Sequence, residues 1–131
     1  MKATARRTDG FKHQIKIRDH ELVIDEPTEE GGADAGPSPQ EMLAASLASC
    51  VAITIEMYAD RKGWDVSGLE VDCDYTPAER GALTRFVMTI RVPPHLDSEQ
   101  RERIAVIAAK CPVHRTLEGE VEFEERVETK P

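Results

Sequence analysis

Aromatic side chains are scarce in this 131-residue chain: one Trp, two Tyr and three Phe make up 5% of it. Its packing must therefore rest on aliphatic residues. Cysteine is sparse too. Three occur, at Cys50, Cys73 and Cys111, and an odd, widely spaced set is not the framework of a disulfide-stapled secreted domain. Excess positive charge is missing, since 17 Lys+Arg stand against 25 Asp+Glu for a net charge of −8. That balance excludes the basic stripe needed for phosphate backbones, so no nucleic-acid partner is expected, and no anionic membrane surface either. No basic stretch leads into an apolar one at the N-terminus, so no signal peptide is expected and the cytoplasm is the simpler location. The single long apolar run is about 18 residues and contains Ser46, Ser49, Thr54 and Glu56, which is short and polar for a membrane span. No phosphate-binding glycine loop, dinucleotide fingerprint or GxSxG elbow occurs. Gly31, Gly32 and Gly36 lack the strand–helix setting those motifs need.

What remains is 40% apolar and 32% charged, the balance of a soluble globular protein, and the length suits one domain over residues 1–131. The first third reads as strands: Ala3 to Arg7, then Phe11 to Ile17 with Phe11, His13, Ile15 and Ile17 on one face, then His20 to Asp25. Asp9-Gly10 and Arg18-Asp19 turn between them. Glu26 to Pro37 is a loop. Ser38-Pro39-Gln40-Glu41 is a strong helix start, with Ser38 as cap, Pro39 in the first helical position and Glu41 completing a capping box.

The helix from there to about Lys62, stopped by Gly63, carries apolar and small residues all the way round. Such a helix should be buried on nearly every side. At about 1.5 Å per residue it would be about 35 Å long, more than a chain this small can wrap, so a second copy is expected to cover it. Val66 to Tyr75 and Phe86 to Val92 follow as strands, the first placing Cys73 in register with Leu69, Val71 and Tyr75. Asp97 or Ser98 caps a helix from Glu99 to Lys110. Cys111-Pro112 breaks it, a short helical turn runs to Leu117, and Glu120 to Val127 alternates as a last strand. The order predicts an α+β fold with a mainly antiparallel sheet, a long buried central helix and a second helix.

Each cysteine has a plain reading and a chemical one. Cys50 lies in the least polar stretch and Cys73 in an apolar strand face, both suited to packing. Cys111 precedes a helix start, where free N–H groups, His114 and Arg115 could favour thiolate. Cys50, Cys111 and His114 are metal-ligand types, but their spacing lacks a zinc-module signature, and neither metal nor cofactor is expected. His13, His20 and His95 read as surface or strand-edge residues.

Two segments resemble the OsmC-like family. GPSPQEMLAASLASCVAITIEMYA (Gly36 to Ala59) is similar to its first-cysteine helix, and CPVHRTL (Cys111 to Leu117) to its second-cysteine motif. The strand-rich start with Asp25-Glu26-Pro27 and Gly31-Gly32 also fits. The resemblance implies an intertwined homodimer, with long central helices enclosed by sheets from both chains. It further implies a peroxiredoxin-like oxidoreductase in oxidative stress defence. Cys50 would attack an organic hydroperoxide and become a sulfenic acid, Cys111 would condense with it to a disulfide, and a dithiol reductant would restore both thiols.

Peroxidase members carry a Glu ten residues before the first Cys. Here Gln40 stands there, and Glu41, nine before Cys50, points about 180° away from it on an ideal helix. The family's thiolate-holding Arg has no counterpart in the loop Glu26 to Pro37; Arg6, Arg7 and Arg18 lie in the early strands. The alternative to a cysteine-based antioxidant peroxidase is therefore a non-catalytic protein that binds a small apolar or electrophilic ligand at the dimer interface.

Overall fold

Gly10 adopts φ +51°, and so closes β1 (Thr4–Asp9) onto β2 (Lys12–Ile17) where a side chain would be strained. In the computed structural model, which describes all 131 residues, β3 (His20–Ile24) completes an antiparallel sheet in the order β1-β2-β3. Ala5 stands opposite Ile15, and Ile15 opposite Leu22; Arg7 stands opposite His13, and His13 opposite Ile24. These residues share one face, mostly apolar. Thr4, Arg6, Gln14, Lys16, Glu21 and Val23 share the other. The β2–β3 turn puts Arg18, a non-glycine, at φ +54°.

The remaining elements are α1 (Pro39–Lys62), β4 (Glu70–Thr76), β5 (Arg85–Arg91), α2 (Ser98–Ala108) and α3 (Pro112–Glu118). β4 and β5 form a separate two-stranded sheet. The α+β class with antiparallel sheets is as the sequence predicts. β4 starts later than expected because Val66 to Leu69 closes a turn, with the Leu69 N–H donating to Val66 O at 3.0 Å and Gly68 at φ +82°.

The chain divides into two compact units. One comprises Met1–Ser46 and Asp72–Met88, the other Leu47–Val71 and Thr89–Pro131. In the first, no apolar side chain is fully buried; its fully buried residues are Asp25 and Ser38. Asp25 organises the loop after β3. Its Oδ2 accepts the N–H of Ala35 at 3.1 Å and of Ala33 at 3.3 Å, and its Oδ1 accepts that of Glu26 at 2.8 Å. The Ala35 N–H above all, with those of Glu26 and Ala33 and the charge of Lys12, holds the Asp25 carboxyl below the usual carboxylate range against the opposing effect of burial. A Cβ on Gly32 would sit 1.9 Å from Glu26 O, so only glycine lets this loop close so tightly. Tyr75 and Phe86 stack with centroids 4.7 Å apart.

The second unit holds the apolar core: Leu47, Val51, Ile55 and Ala59 of α1, Leu96, Ile104, Ile107 and Ala108 in and before α2, and Cys111. The capping box expected at the start of α1 is present, with Glu41 N–H donating to Ser38 Oγ at 3.1 Å and Ser38 N–H to the Glu41 carboxylate at 2.9 Å. Its end is a Schellman motif: Trp64 N–H donates to Ala59 O at 2.9 Å and Gly63 N–H, at φ +70°, to Asp60 O at 3.2 Å. Asp97 caps α2 and forms a reciprocal box with Gln100.

Two expectations are corrected. The long helix is not buried on all sides within the chain. Only the i, i+4 stripe Leu47, Val51, Ile55 and Ala59 is fully buried; flanking residues such as Ala48, Cys50, Ala52 and Thr54 are half-buried, and Ser46, Ser49, Ile53 and Met57 are exposed. By length and composition alone this helix could also cross a membrane, although a core helix meets the same description. The last strand is likewise absent: after Glu118 the chain has no regular secondary structure, and Val121, Phe123 and Val127 are exposed. A strand is defined by its hydrogen-bonded neighbour, and this segment has none.

Two outcomes follow for stability. Arg18→Gly should raise it by about 0.5–1 kcal/mol in urea unfolding, because the hairpin position demands positive φ. Asp25→Asn should lower it at neutral pH. Because the folded Asp25 pKa is depressed, the wild-type advantage is present above the ordinary carboxylate value of about 3.9 and disappears as pH falls through the lower folded value. Denaturant midpoints of the two proteins, followed from pH 7 into acid, check this.

Candidate functional site

Cys50 and Cys111 both belong to the second unit. Cys50 lies within α1, one turn after Leu47 and one residue before Val51, so it flanks the buried stripe and is itself half-buried. Its carbonyl accepts the Thr54 hydroxyl at 2.7 Å, leaving the thiol as the group it presents. Cys111 arrives from the other direction. Its N–H donates back to Ala108 O at 3.4 Å as α2 ends, and Pro112, with no N–H to lose, starts α3. Cys111 is thus the N-cap of α3, fully buried, with its Sγ accepting the His114 N–H at 3.2 Å.

The two thiols are neighbours, close enough for Cys50 to act on the Cys111 thiol. Neither is in a disulfide. Burial pushes the Cys111 thiol above its ordinary pKa. The His114 N–H works against this, neighbouring Cys50 reinforces it, and the Val113 N–H opposes it. The thiolate-favouring setting expected at Cys111 is therefore half present. The N–H donor is there, but desolvation outweighs it. The His114 ring is turned to another task, with Nε2–H donating to the Glu118 carboxylate at 2.6 Å.

Cys73, on β4 in the first unit, is half-buried. Burial, and then the charge of Asp74, raise its pKa. It is a packing residue, as its register suggests. Glu41 is held by Ser38, whose backbone N–H and then hydroxyl lower its pKa, consistent with a capping role. Arg7 is engaged in its own hairpin, with Nε donating to Gly10 O at 2.8 Å. No three His, Cys, Asp or Glu side chains gather as metal ligands. His13 Nδ1–H donates to Phe11 O at 2.8 Å, and His95 Nε2–H to Asp65 O at 2.9 Å, so these two have local structural partners.

Sequence reasoning overlooked Asp25, whose signal is a carboxylate directly before a proline-and-glycine-rich loop. It also overlooked a cluster at the C-terminal end of α1. Tyr58 hydroxyl accepts Arg103 Nε–H at 3.0 Å, which together with the charges of Arg103, Lys62 and Arg61 lowers its pKa against burial. The Trp64 ring meets Tyr58 edge-on at 5.5 Å. Tyr58, Lys62, Trp64 and Arg103 line a concavity of about 670 Å³. Tyr58 is eight residues beyond Cys50, about 12 Å along the helix axis.

Comparison with known proteins places this pair of thiols in context. An uncharacterised protein of Haloferax volcanii is 28% identical over 116 residues, spanning 87% of this chain and 84% of its own length. A Psychrobacter arcticus structure described as an osmotic stress induced and detoxification response protein superposes with a TM-score of 0.78 at 21% identity, covering 87% of this chain and 85% of that one. A Vibrio cholerae protein assigned to organic hydroperoxide resistance, with captopril bound in one of its active sites, superposes with a TM-score of 0.68 at 20% identity, covering 91% and 85%. At these identities the structures establish a shared fold. The OsmC-like protein family matches residues 31–126, a span that holds α1 with Cys50 and the turn with Cys111, and the chain belongs to that family.

Proposed function

We propose that this protein is a thiol-dependent peroxidase of organic hydroperoxides, acting as a homodimer, with Cys50 as the attacking and Cys111 as the resolving cysteine. The observation that carries the reading is the meeting of two thiols 61 positions apart in sequence, one partly open to solvent and the other fully buried. A peroxide can reach only an accessible sulfur, which favours Cys50 for the attack. The Cys50 thiolate displaces alkoxide from the distal oxygen, giving Cys50 sulfenic acid and, after protonation, the alcohol. The Cys111 thiolate then attacks the sulfenic sulfur, forming the disulfide and expelling hydroxide, which takes up a solvent proton to become water. An external dithiol returns both residues to thiols and is itself oxidised to a disulfide. The His114 N–H stabilises charge on Cys111 in the resolving step.

A binding role is the second reading. It is favoured by Gln40 at the position where peroxidase members have Glu, and by the captopril held in an active site of the Vibrio cholerae relative. On this reading Cys50 lines a ligand site and no turnover occurs.

Stoichiometric cumene hydroperoxide, followed by mass mapping, separates the two. Catalysis requires a Cys50–Cys111 disulfide in the wild type. Cys50→Ser should reduce hydroperoxide consumption to the uncatalysed background. Cys111→Ser should consume about one equivalent and stop at the Cys50 sulfenic acid, accumulating over-oxidised Cys50 only when further hydroperoxide is added. Full activity in Cys50→Ser removes the peroxidase reading, and an unreactive wild type that binds captopril favours the second. The raised Cys111 pKa adds a pH signature. Its thiolate fraction is small at neutral pH, so the rate of disulfide formation from the sulfenic acid, read by stopped-flow, should keep rising beyond the ordinary thiol value of about 8.5.

A further inference from the structure

The cluster at the end of α1 lies within the second unit, and its positive charge is left unpaired. Arg103 stands four residues after Glu99 on α2, the spacing at which a helix ordinarily pairs the two. It makes no ion pair. Its guanidinium is drawn instead over the Tyr58 ring, 5.6 Å from the centroid, with Nε–H on the Tyr58 hydroxyl at 3.0 Å. Lys62 Nζ lies 5.7 Å from the same centroid and has no carboxylate partner either. Tyr58 accepts the Arg103 hydrogen bond and donates none, so its own O–H is free. The Arg103 hydrogen bond above all, with the charges of Arg103, Lys62 and Arg61, makes this phenol more acidic despite desolvation, and so a better donor. Like charges repel, yet two cations and a free hydroxyl are gathered at one ring without an acceptor.

We propose that the concavity of about 670 Å³ lined by these residues binds a small monocarboxylate with an aromatic body. Arg103, Lys62 and the Tyr58 O–H hold the carboxylate by charge-assisted hydrogen bonds, to which a guanidinium fork is well shaped. The half-buried Trp64 indole, edge-on to Tyr58 at 5.5 Å, and Val106 give the body an apolar surface. The volume is that of a small-molecule site. Asp97, Glu99 and Glu102 line the same concavity. Asp97 caps α2 and Glu99 lies in its first turn, where negative charge suits the helix dipole. Toward a ligand these carboxylates oppose a second negative charge, which disfavours phosphate. A cationic ligand fits less well, because Lys62 and Arg103 already lie over the Tyr58 ring.

Tyr58 is about 12 Å along α1 from Cys50, so this site is separate from the two thiols, and its test reads binding instead of turnover. Trp64 is the one tryptophan, and its emission reports on the site directly. With phenylacetate as the probe, Trp64 emission of the full-length protein should change saturably. Phenylacetamide, which keeps the body without the charge, should bind at least about tenfold more weakly, and so should phenethylamine, with the opposite charge, and inorganic phosphate, with no body. Tyr58→Phe keeps the ring and removes the hydroxyl, and should weaken phenylacetate by about three- to tenfold. Lys62→Gln should do the same, and because Lys62 is exposed at the helix end, that variant reads the site without endangering the fold. Cys50→Ser should bind phenylacetate as the wild type does. An emission that does not respond to phenylacetate, equal or tighter binding of any of the three comparison probes, unchanged affinity in Tyr58→Phe or Lys62→Gln, or loss of binding in Cys50→Ser would overturn the proposal.

Discussion

The stripe Leu47, Val51, Ile55 and Ala59 is the constraint on which the candidate site depends. Residues four apart on a helix lie nearly in line, so this set defines which side of α1 is turned inward. Cys50, one position short of Val51, is thereby held at the margin of the buried side, where it can meet Cys111 and still face solvent. Burying side chains of this kind contributes roughly 1.5–3 kcal/mol each for the larger ones, enough to make the helix rotation well defined. The fixed turns at either end reinforce it: the Ser38–Glu41 box at one terminus and the Gly63 Schellman turn at the other.

The two thiols differ because their surroundings differ. Cys111 sits in the core with Ile104, Ile107 and Ala108, and desolvation dominates its protonation even though the His114 N–H points at its sulfur. A thiol of this kind is slow to react with solutes yet well placed to respond once its neighbour becomes an electrophile. On the proposed peroxidase reading, that asymmetry, and not merely the presence of two cysteines, gives the pair an order of events. Pro112 is part of it. By starting α3 directly after Cys111 it aims the first N–H groups of that helix at the N-cap side chain.

Much of this was legible in the sequence because the signals were local. Ser38-Pro39-Gln40-Glu41 specifies a helix start through hydrogen bonds that four residues can make among themselves, and Asp9-Gly10 specifies a turn. The apposition of Cys50 and Cys111 had no local signal and entered only through the family resemblance. Asp25 was missed for the same reason: its partners Ala33 and Ala35 are eight and ten residues on, and contribute backbone N–H groups that leave no mark on composition. The two misjudged elements share one cause. The all-round apolar character of α1 and the alternation of Glu120 to Val127 suit burial and pairing, but the chain buries only one stripe of that helix and gives that segment no neighbouring strand.

That shortfall has a magnitude. In the first unit no apolar side chain is fully buried, and Phe11 and Leu22 remain largely open on or beside its sheet; Ile53 and Met57 are open on α1, and Val121 and Phe123 on the tail. If burying each contributed even about 1.5 kcal/mol, two chains associating through these groups would gain on the order of 10–20 kcal/mol, the same order as the rotational, translational and ordering cost of association. Apolar area alone therefore leaves the balance near zero.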